Sequence, residues 1–157
     1  METEYYRRLL LAVDFEPESD PVVARAIQLR RLLDARLTLL HVIEYVPPVM
    51  ESAYLGYAGE MALPDSTELE VELIAVARRQ METLGEQLGV DSADQLVRIG
   101  SVGHVIDETA AELDVDLVVI GSRGRHGLLG LFGSTARKVL RDSTCDVLCV
   151  KIAEARA

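Results

Sequence analysis

Cysteine is scarce in this chain: Cys145 and Cys149 are the only two among 157 residues. If both lie on one strand, four residues at about 3.3 Å each separate them by about 13 Å. A disulfide spans a Cα separation of at most ~7 Å, so the two are expected not to pair with each other. There is no CxxC and no metal-type Cys/His spacing. Basic residues are also in short supply: 16 Lys and Arg stand against 26 Asp and Glu, a formal charge of −10. Extended nucleic acid and anionic membrane surfaces both require a basic footprint, which argues against either as a partner. No apolar stretch approaches the ~18 residues of a membrane span. The first residues, Met1 to Arg8, begin acidic, and the apolar run after them reaches only from Leu9 to Val13, which is not a signal peptide. Internal repeats and low-complexity tracts are missing as well. These absences together predict a cytoplasmic chain with reduced thiols.

What is present is ordinary for a globular protein: 49% hydrophobic and 27% charged residues. The length suits one domain, taken as residues 1–157. About 68–70% of the unfolded surface can be buried at this size, so neither a disulfide nor a structural metal is needed as a staple.

Short apolar runs alternate with helical patterns. Leu9 to Val13 is a continuous apolar run ending at Asp14, the signature of a strand buried on both faces of a parallel sheet. Asp20-Pro21 reads as an N-cap followed by proline at the first helical position. Val22, Ala26, Leu29 and Leu33 then recur at helical spacing. Leu37 to Ile43 is a second strand. A long segment from Glu44 to Ser66 follows, with several Pro, Gly, Tyr and Met residues; loops of this length usually have a function or are mobile. Thr67 and Glu70 have capping-box spacing. The stripe Leu69, Leu73, Val76, Met81, Leu84 and Leu88 continues the helix to Gly89, a C-cap candidate. Gln95 to Ile99 is a weaker strand, Val102 to Leu113 a helix, and Leu117 to Ile120 a strong strand. A glycine-rich loop from Gly121 to Gly133 leads to a helix capped by Ser134 and running to about Arg141, and Val147 to Ile152 forms the last strand. This order predicts a doubly wound α/β domain with five parallel strands and helices on both faces. Ligands of such sheets bind beyond the carboxyl ends of the strands, where the strand order reverses.

The loop after the fourth strand carries the chemistry. Glycines allow close backbone approach. The helix N-terminus offers unpaired N–H groups and the positive end of the dipole. Ser134 and Thr135 add hydroxyls. No Gly-Lys-Ser/Thr is present, so this is not a Walker A loop, and its glycine spacing and place after the fourth strand exclude the dinucleotide GxGxxG motif. Gly121 to Arg141 contains Arg123, Arg125, Arg137, Lys138 and Arg141 and no acidic residue, an island of +5 in an otherwise acidic chain. Arginine suits phosphate oxygens through its bidentate fork. Read from spacing and charge alone, the segment is a phosphate site or a long turn in about equal measure. Asp14, at the predicted switch point, is a candidate for holding a ribose or a metal; aspartate there also suits a turn. His41 reads as a strand-end histidine with a satisfied ring, His104 as a helix-surface residue, and His126 as the one histidine in the loop worth testing.

These residues resemble the universal stress protein family over almost the whole chain. The resemblance rests on Leu9 to Asp14, Leu37 to Val42, Asp116 to Gly124, Leu131 to Ala136 and Cys145 to Val150, in this order and spacing. It implies a sheet of order 3-2-1-4-5, a homodimer joined through the last strand (Val147 to Ile152) and a cytoplasmic role in stress response. The ATP binders of the family carry a G-x2-G-x9-G-S/T signature. Gly121, Gly124 and Gly133-Ser134 match it, with eight residues between Gly124 and Gly133 instead of nine. By resemblance, Asp14 and Val42 would flank the adenosine, Val42 through its backbone. Gly121, Ser122, Arg123 and Gly124 would run under the ribose and phosphates, and Gly133, Ser134 and Thr135 would donate to the phosphates. The leading expectation is a stress-response regulator that binds ATP, with or without Mg²⁺, or another adenine nucleotide. The alternatives are a slow ATPase and a nucleotide-free dimeric interaction module using Tyr45 to Met61.

Overall fold

A computed structural model of the chain describes residues 5–44, 66–123 and 133–153. Five strands appear in it, β1 (Arg8–Ala12), β2 (Arg36–Ile43), β3 (Gln95–Ile99), β4 (Leu117–Gly121) and β5 (Asp146–Val150). Between them run α1 (Asp20–Leu33), α2 (Ser66–Leu88), α3 (Val102–Glu112) and α4 (Ser134–Asp142), with single 3-10 turns at Pro17–Ser19 and Ser92–Asp94. All strand pairs are parallel, in the order β3-β2-β1-β4-β5.

The apolar run of β1 explains the layering. Side chains alternate across a strand, so Leu9 and Leu11 enter one core and Leu10 the other. The first core joins Leu37, Leu39, Leu117 and Val119 to Val22 and Ala26 of α1 and Met81 of α2. The second joins Leu40, Val118 and Ile120 to Val105, Ile106 and Ala110 of α3 and Val139 of α4. Leu10, Leu11, Leu39, Leu40, Val118 and Val119 are wholly buried, each worth about 1.5–3 kcal/mol of apolar burial. The chain therefore winds from β1 to β3 with α1 and α2 on one face and from β3 through β4 to β5 with α3 and α4 on the other. The direction reverses between β1 and β4, and their carboxyl ends part there.

The helix ends are set locally, and some differ from the sequence expectation. α1 has Ser19 as N-cap, and Asp20 is its first residue, in the dipole-favoured first turn. α2 begins at Ser66, so Thr67 stands inside the helix rather than ahead of it as a capping-box residue. α4 has Gly133 as N-cap and Ser134 as its first residue. β5 ends at Val150, so Ile152 lies past the strand. The C-terminus of α2 is as expected: Gly89 takes φ +63°, its N–H bonds to the Glu86 carbonyl at 3.4 Å and that of Val90 to Gly85 at 2.9 Å. That is a Schellman pair. Asp114 (φ +50°) does the same after α3, with Val115 N–H on the Ala110 carbonyl at 2.9 Å. Cys145 and Cys149 are both free thiols, and burial pushes the Cys149 thiol up, away from the reactive thiolate. Tyr45 to Met61 lies outside the described residues.

A Cβ at position 89 would meet nothing within 4 Å, so the cost of a side chain there is conformational alone. Gly89→Ala is expected to lower the unfolding free energy by about 1 kcal/mol, read from the midpoint of a urea titration at unchanged slope.

Candidate functional site

The carboxyl end of β1 is folded into a tight turn by its own aspartate. Val13 N–H still bonds to the Leu40 carbonyl at 2.8 Å, extending the pairing with β2 by one residue. Asp14 then closes the chain on itself: its Oδ1 accepts from Glu16 N–H at 3.0 Å and its Oδ2 from the Ser19 hydroxyl at 2.9 Å. Between them Phe15 is held at φ +60°, a conformation that strains a bulky residue. Such outliers cost about 1–3 kcal/mol and persist where the surroundings over-determine them. Here the Phe15 ring lies against His41, with centroids 4.5 Å apart. Nδ1 of His41 is 2.8 Å from the Val13 carbonyl, which can only accept, so this nitrogen carries the hydrogen. One ring nitrogen is thus engaged with the backbone at the end of β1. His104 is exposed on α3.

The ends of the loop between β4 and α4 are equally fixed. Ser122 N–H bonds to the Val150 carbonyl at 2.8 Å, and the Ser122 carbonyl accepts from Gly133 N–H at 2.9 Å. From Gly133, which has no side chain to cap the helix, the chain enters α4 with no side-chain cap among the described residues. The leading N–H groups of the helix lack intrahelical partners, and the dipole adds partial positive charge.

These pieces meet in a cleft of about 540 Å³ at the carboxyl ends of β1, β2 and β4. Asp14, Val42, Gly121, Arg123, Gly133, Ser134 and Thr135 all line it. One side is apolar, with Val102 and Ile106 of α3; α2 supplies Leu73, Val76 and Ala77 opposite. Polar donors thus converge at one end of a largely apolar groove, the usual form of a small-molecule site. Gly121 is needed for its closeness: an added Cβ would stand 2.7 Å from Cδ1 of Ile152 and 3.2 Å from Cγ2 of Val22.

The universal stress protein family model matches residues 5–151. The chain belongs to that family. It is 36% identical over 150 residues to universal stress protein A homolog 1 of Coxiella burnetii, covering 96% of this chain and 99% of the relative. Universal stress protein UspA from Lactobacillus plantarum superposes with a TM-score of 0.73 at 22% identity, covering 94% of this chain and 99% of that one. The universal stress protein from Archaeoglobus fulgidus, solved in complex with dAMP, gives 0.60 at 21% identity, covering 94% and 100%. The fold is the one this family adopts.

In this family member, the structure adds two facts about the loop. Ser122 is buried and does not line the cleft; its hydroxyl accepts from Ile152 N–H at 2.9 Å. The cationic island is also smaller than its sequence suggested. Lys138 and Arg141 both pair with Asp142, at 3.0 and 2.7 Å, the residue immediately after the counted stretch. Arg123 donates to the Ile152 carbonyl at 2.9 Å. Gly124, Arg125 and His126 lie outside the described residues. Sequence reasoning missed Ser19, Phe15 and the α2 wall. The stripe Leu69, Leu73, Val76 was a legible signal for the wall; the strain at Phe15 had none.

The packing of α4 on α3 sets where this helix start sits. Gly103 allows it, since a Cβ there would come within 2.8 Å of Lys138 Cδ. Asp107 of α3 opposes it: its Oδ1 is buried without a hydrogen-bond partner among the described residues, and its Oδ2 is 3.8 Å from Lys138 Nζ. Burial raises its carboxyl above the ordinary carboxylate range, with Lys138 pulling the other way. A raised acid stabilises the fold below its unfolded pKa, near 3.9, and loses that contribution as pH rises through its folded value. Asp107→Asn is accordingly expected to melt higher than the native chain at pH 7, with the gap closing as pH falls towards 4. Thermal melts of both proteins across that range check it.

Proposed function

We propose that this chain is a regulatory protein of the stress response that binds an adenine nucleotide, ATP foremost, in the cleft beyond β1, β2 and β4. The observation that carries the reading is the convergence of Asp14, Val42, Gly121, Gly133, Ser134 and Thr135 on one groove that opens onto the uncapped start of α4. The dAMP complex of the Archaeoglobus relative supports it. The Val42 backbone would bond the edge of the adenine, and the apolar residues of α2 and α3 would cover its faces. Asp14 uses two of its roughly four lone-pair sites in its own turn and keeps the others for ribose hydroxyls. Gly121 and Gly124 would let the backbone run close under the ribose and phosphates. Gly133, Ser134 and Thr135 would donate N–H and hydroxyl groups to the phosphates, where a helix N-terminus favours negative charge.

Magnesium would arrive on the triphosphate. Among the described residues no group of three or more His, Cys, Asp or Glu is placed to hold a metal by itself. Mg²⁺ commonly uses phosphate oxygens, waters and one or two carboxylates. The same arrangement favours binding over hydrolysis. Phosphoryl transfer needs a group that orients the nucleophile, and Asp14, whose remaining lone pairs this reading gives to the ribose, would stand away from the phosphates.

The proposal extends to a cytoplasmic homodimer. β5 is an edge of the sheet, paired on one side with β4, and its residues Val147 to Val150 are half-buried in the chain by itself. A second copy laid along it would pair the open N–H and carbonyl groups. No described helix is long and apolar enough to cross a membrane.

Calorimetry with the native chain should show saturable ATP binding at or below about millimolar concentration, the weak end of specific association. No heat at that concentration overturns the reading. Asp14→Asn keeps the turn acceptor but removes the charge, and is expected to weaken ATP binding about tenfold, the scale of a charged hydrogen bond. Native mass measurement should give twice the 17.3 kDa chain; a monomer alone would refute the dimer.

A further inference from the structure

We propose that Ile152, just past β5, belongs to the phosphate end of this site, and that Ser122 acts there as a positioning residue through Ile152 rather than by touching ligand, with Arg123 bracing the same residue from the cleft wall. The inference rests on the nucleotide reading above and concerns how its loop is held.

The contacts converge on one backbone unit. Ile152 N–H donates to the Ser122 hydroxyl at 2.9 Å, in a buried hydrogen bond. The Ile152 carbonyl accepts from the Arg123 guanidinium at 2.9 Å. One step earlier, the Val150 carbonyl accepts from Ser122 N–H at 2.8 Å. The Ile152 side chain is buried and packs over Gly121, where there is no room for a Cβ. Ile152 itself does not line the cleft.

Ser122 then passes this anchorage on. Its carbonyl accepts from Gly133 N–H at 2.9 Å, and Gly133 is the N-cap of α4. Both ends of the chain that joins β4 to α4 are thereby tied to the residues beyond β5. A helix N-terminus is useful to a phosphate only if it is aimed, and a displacement of about 1 Å can undo such positioning. Burying a serine hydroxyl costs free energy unless it is bonded; at Ser122 the partner is the Ile152 backbone.

The arrangement predicts which half of a nucleotide notices the clasp. Adenosine would sit against β1 and β2, to which the hydrogen bonds of the clasp do not run. The phosphates would sit at Gly133, Ser134 and Thr135, which it holds. ATP and adenosine binding are to be measured by calorimetry for the native chain, Ser122→Ala, a chain ending at Lys151, and the two changes combined, with amide exchange at Gly133 followed by NMR in each. Ser122→Ala should weaken ATP binding about tenfold, as for loss of a buried hydrogen bond, and leave adenosine within about twofold. Adding Ser122→Ala to the shortened chain should cost little more, because its partner is already gone. Gly133 exchange should quicken in both single changes, although neither removes the Gly133 N–H or the backbone carbonyl of residue 122 that accepts it.

Equal loss of ATP and adenosine would refute the inference, as would a full further loss in the combined variant, which would place Ser122 on the ligand. Unchanged Gly133 exchange in Ser122→Ala would refute it even if the shortened chain failed to fold. If the native chain bound neither ligand, the nucleotide reading would fall, while the exchange data would still decide whether the clasp holds the loop.

Discussion

The parallel pairing of β1 with β2 on one side and β4 on the other is the constraint on which the rest of this structure depends. Leu9 to Leu11 pair in register with Leu37 to Leu39 and with Leu117 to Val119. A strand held on both sides must place its side chains in two cores, and its apolar composition is the consequence. Because the chain leaves β1 in one direction and reaches β4 from the other, the ends of these strands cannot be closed by a common connection. The cleft is the space left by that reversal.

Most of what surrounds the cleft serves to fix backbone rather than to present charge. Asp14 folds its own turn, Phe15 accepts strain within it, and His41 ties the turn to β2. On the far side Ser122, Gly133 and Ile152 form a second tie. The two ties stand either side of the switch point. An anion would meet oriented N–H groups here. Lys138 and Arg141 are engaged with Asp142, and Arg123 with a carbonyl, which fits a site that draws on the helix and the backbone.

The acidic balance of the chain takes on a narrower meaning in this light. It remains a reason against extended polyanions as partners. For a small phosphorylated ligand the local arrangement matters, because surface charges beyond a Debye length of about 8 Å are screened. The positive island counted along the sequence was cut one residue too early, at Arg141. In space Asp142 neutralises part of it.

The amino-acid sequence by itself determined the alternation of strands and helices, because apolar runs and helical stripes are local patterns. It determined Gly89 as a helix end, since a left-handed residue favours glycine, and it marked Asp14, Val42, Gly121 and Gly133 by motif and position. Asp114 ending a helix the same way was hidden, because aspartate is only tolerated in that conformation. The tertiary structure alone decided what Ser122 and Arg123 do. Their partner, Ile152, is some thirty residues distant, and no spacing rule joins a serine to a backbone N–H brought beside it by strand pairing. It likewise decided that α2 walls the cleft and that Asp107 carries a buried Oδ1 with no hydrogen-bond partner among the described residues. Those properties arise from what packs against a residue, and packing is a fact of three dimensions.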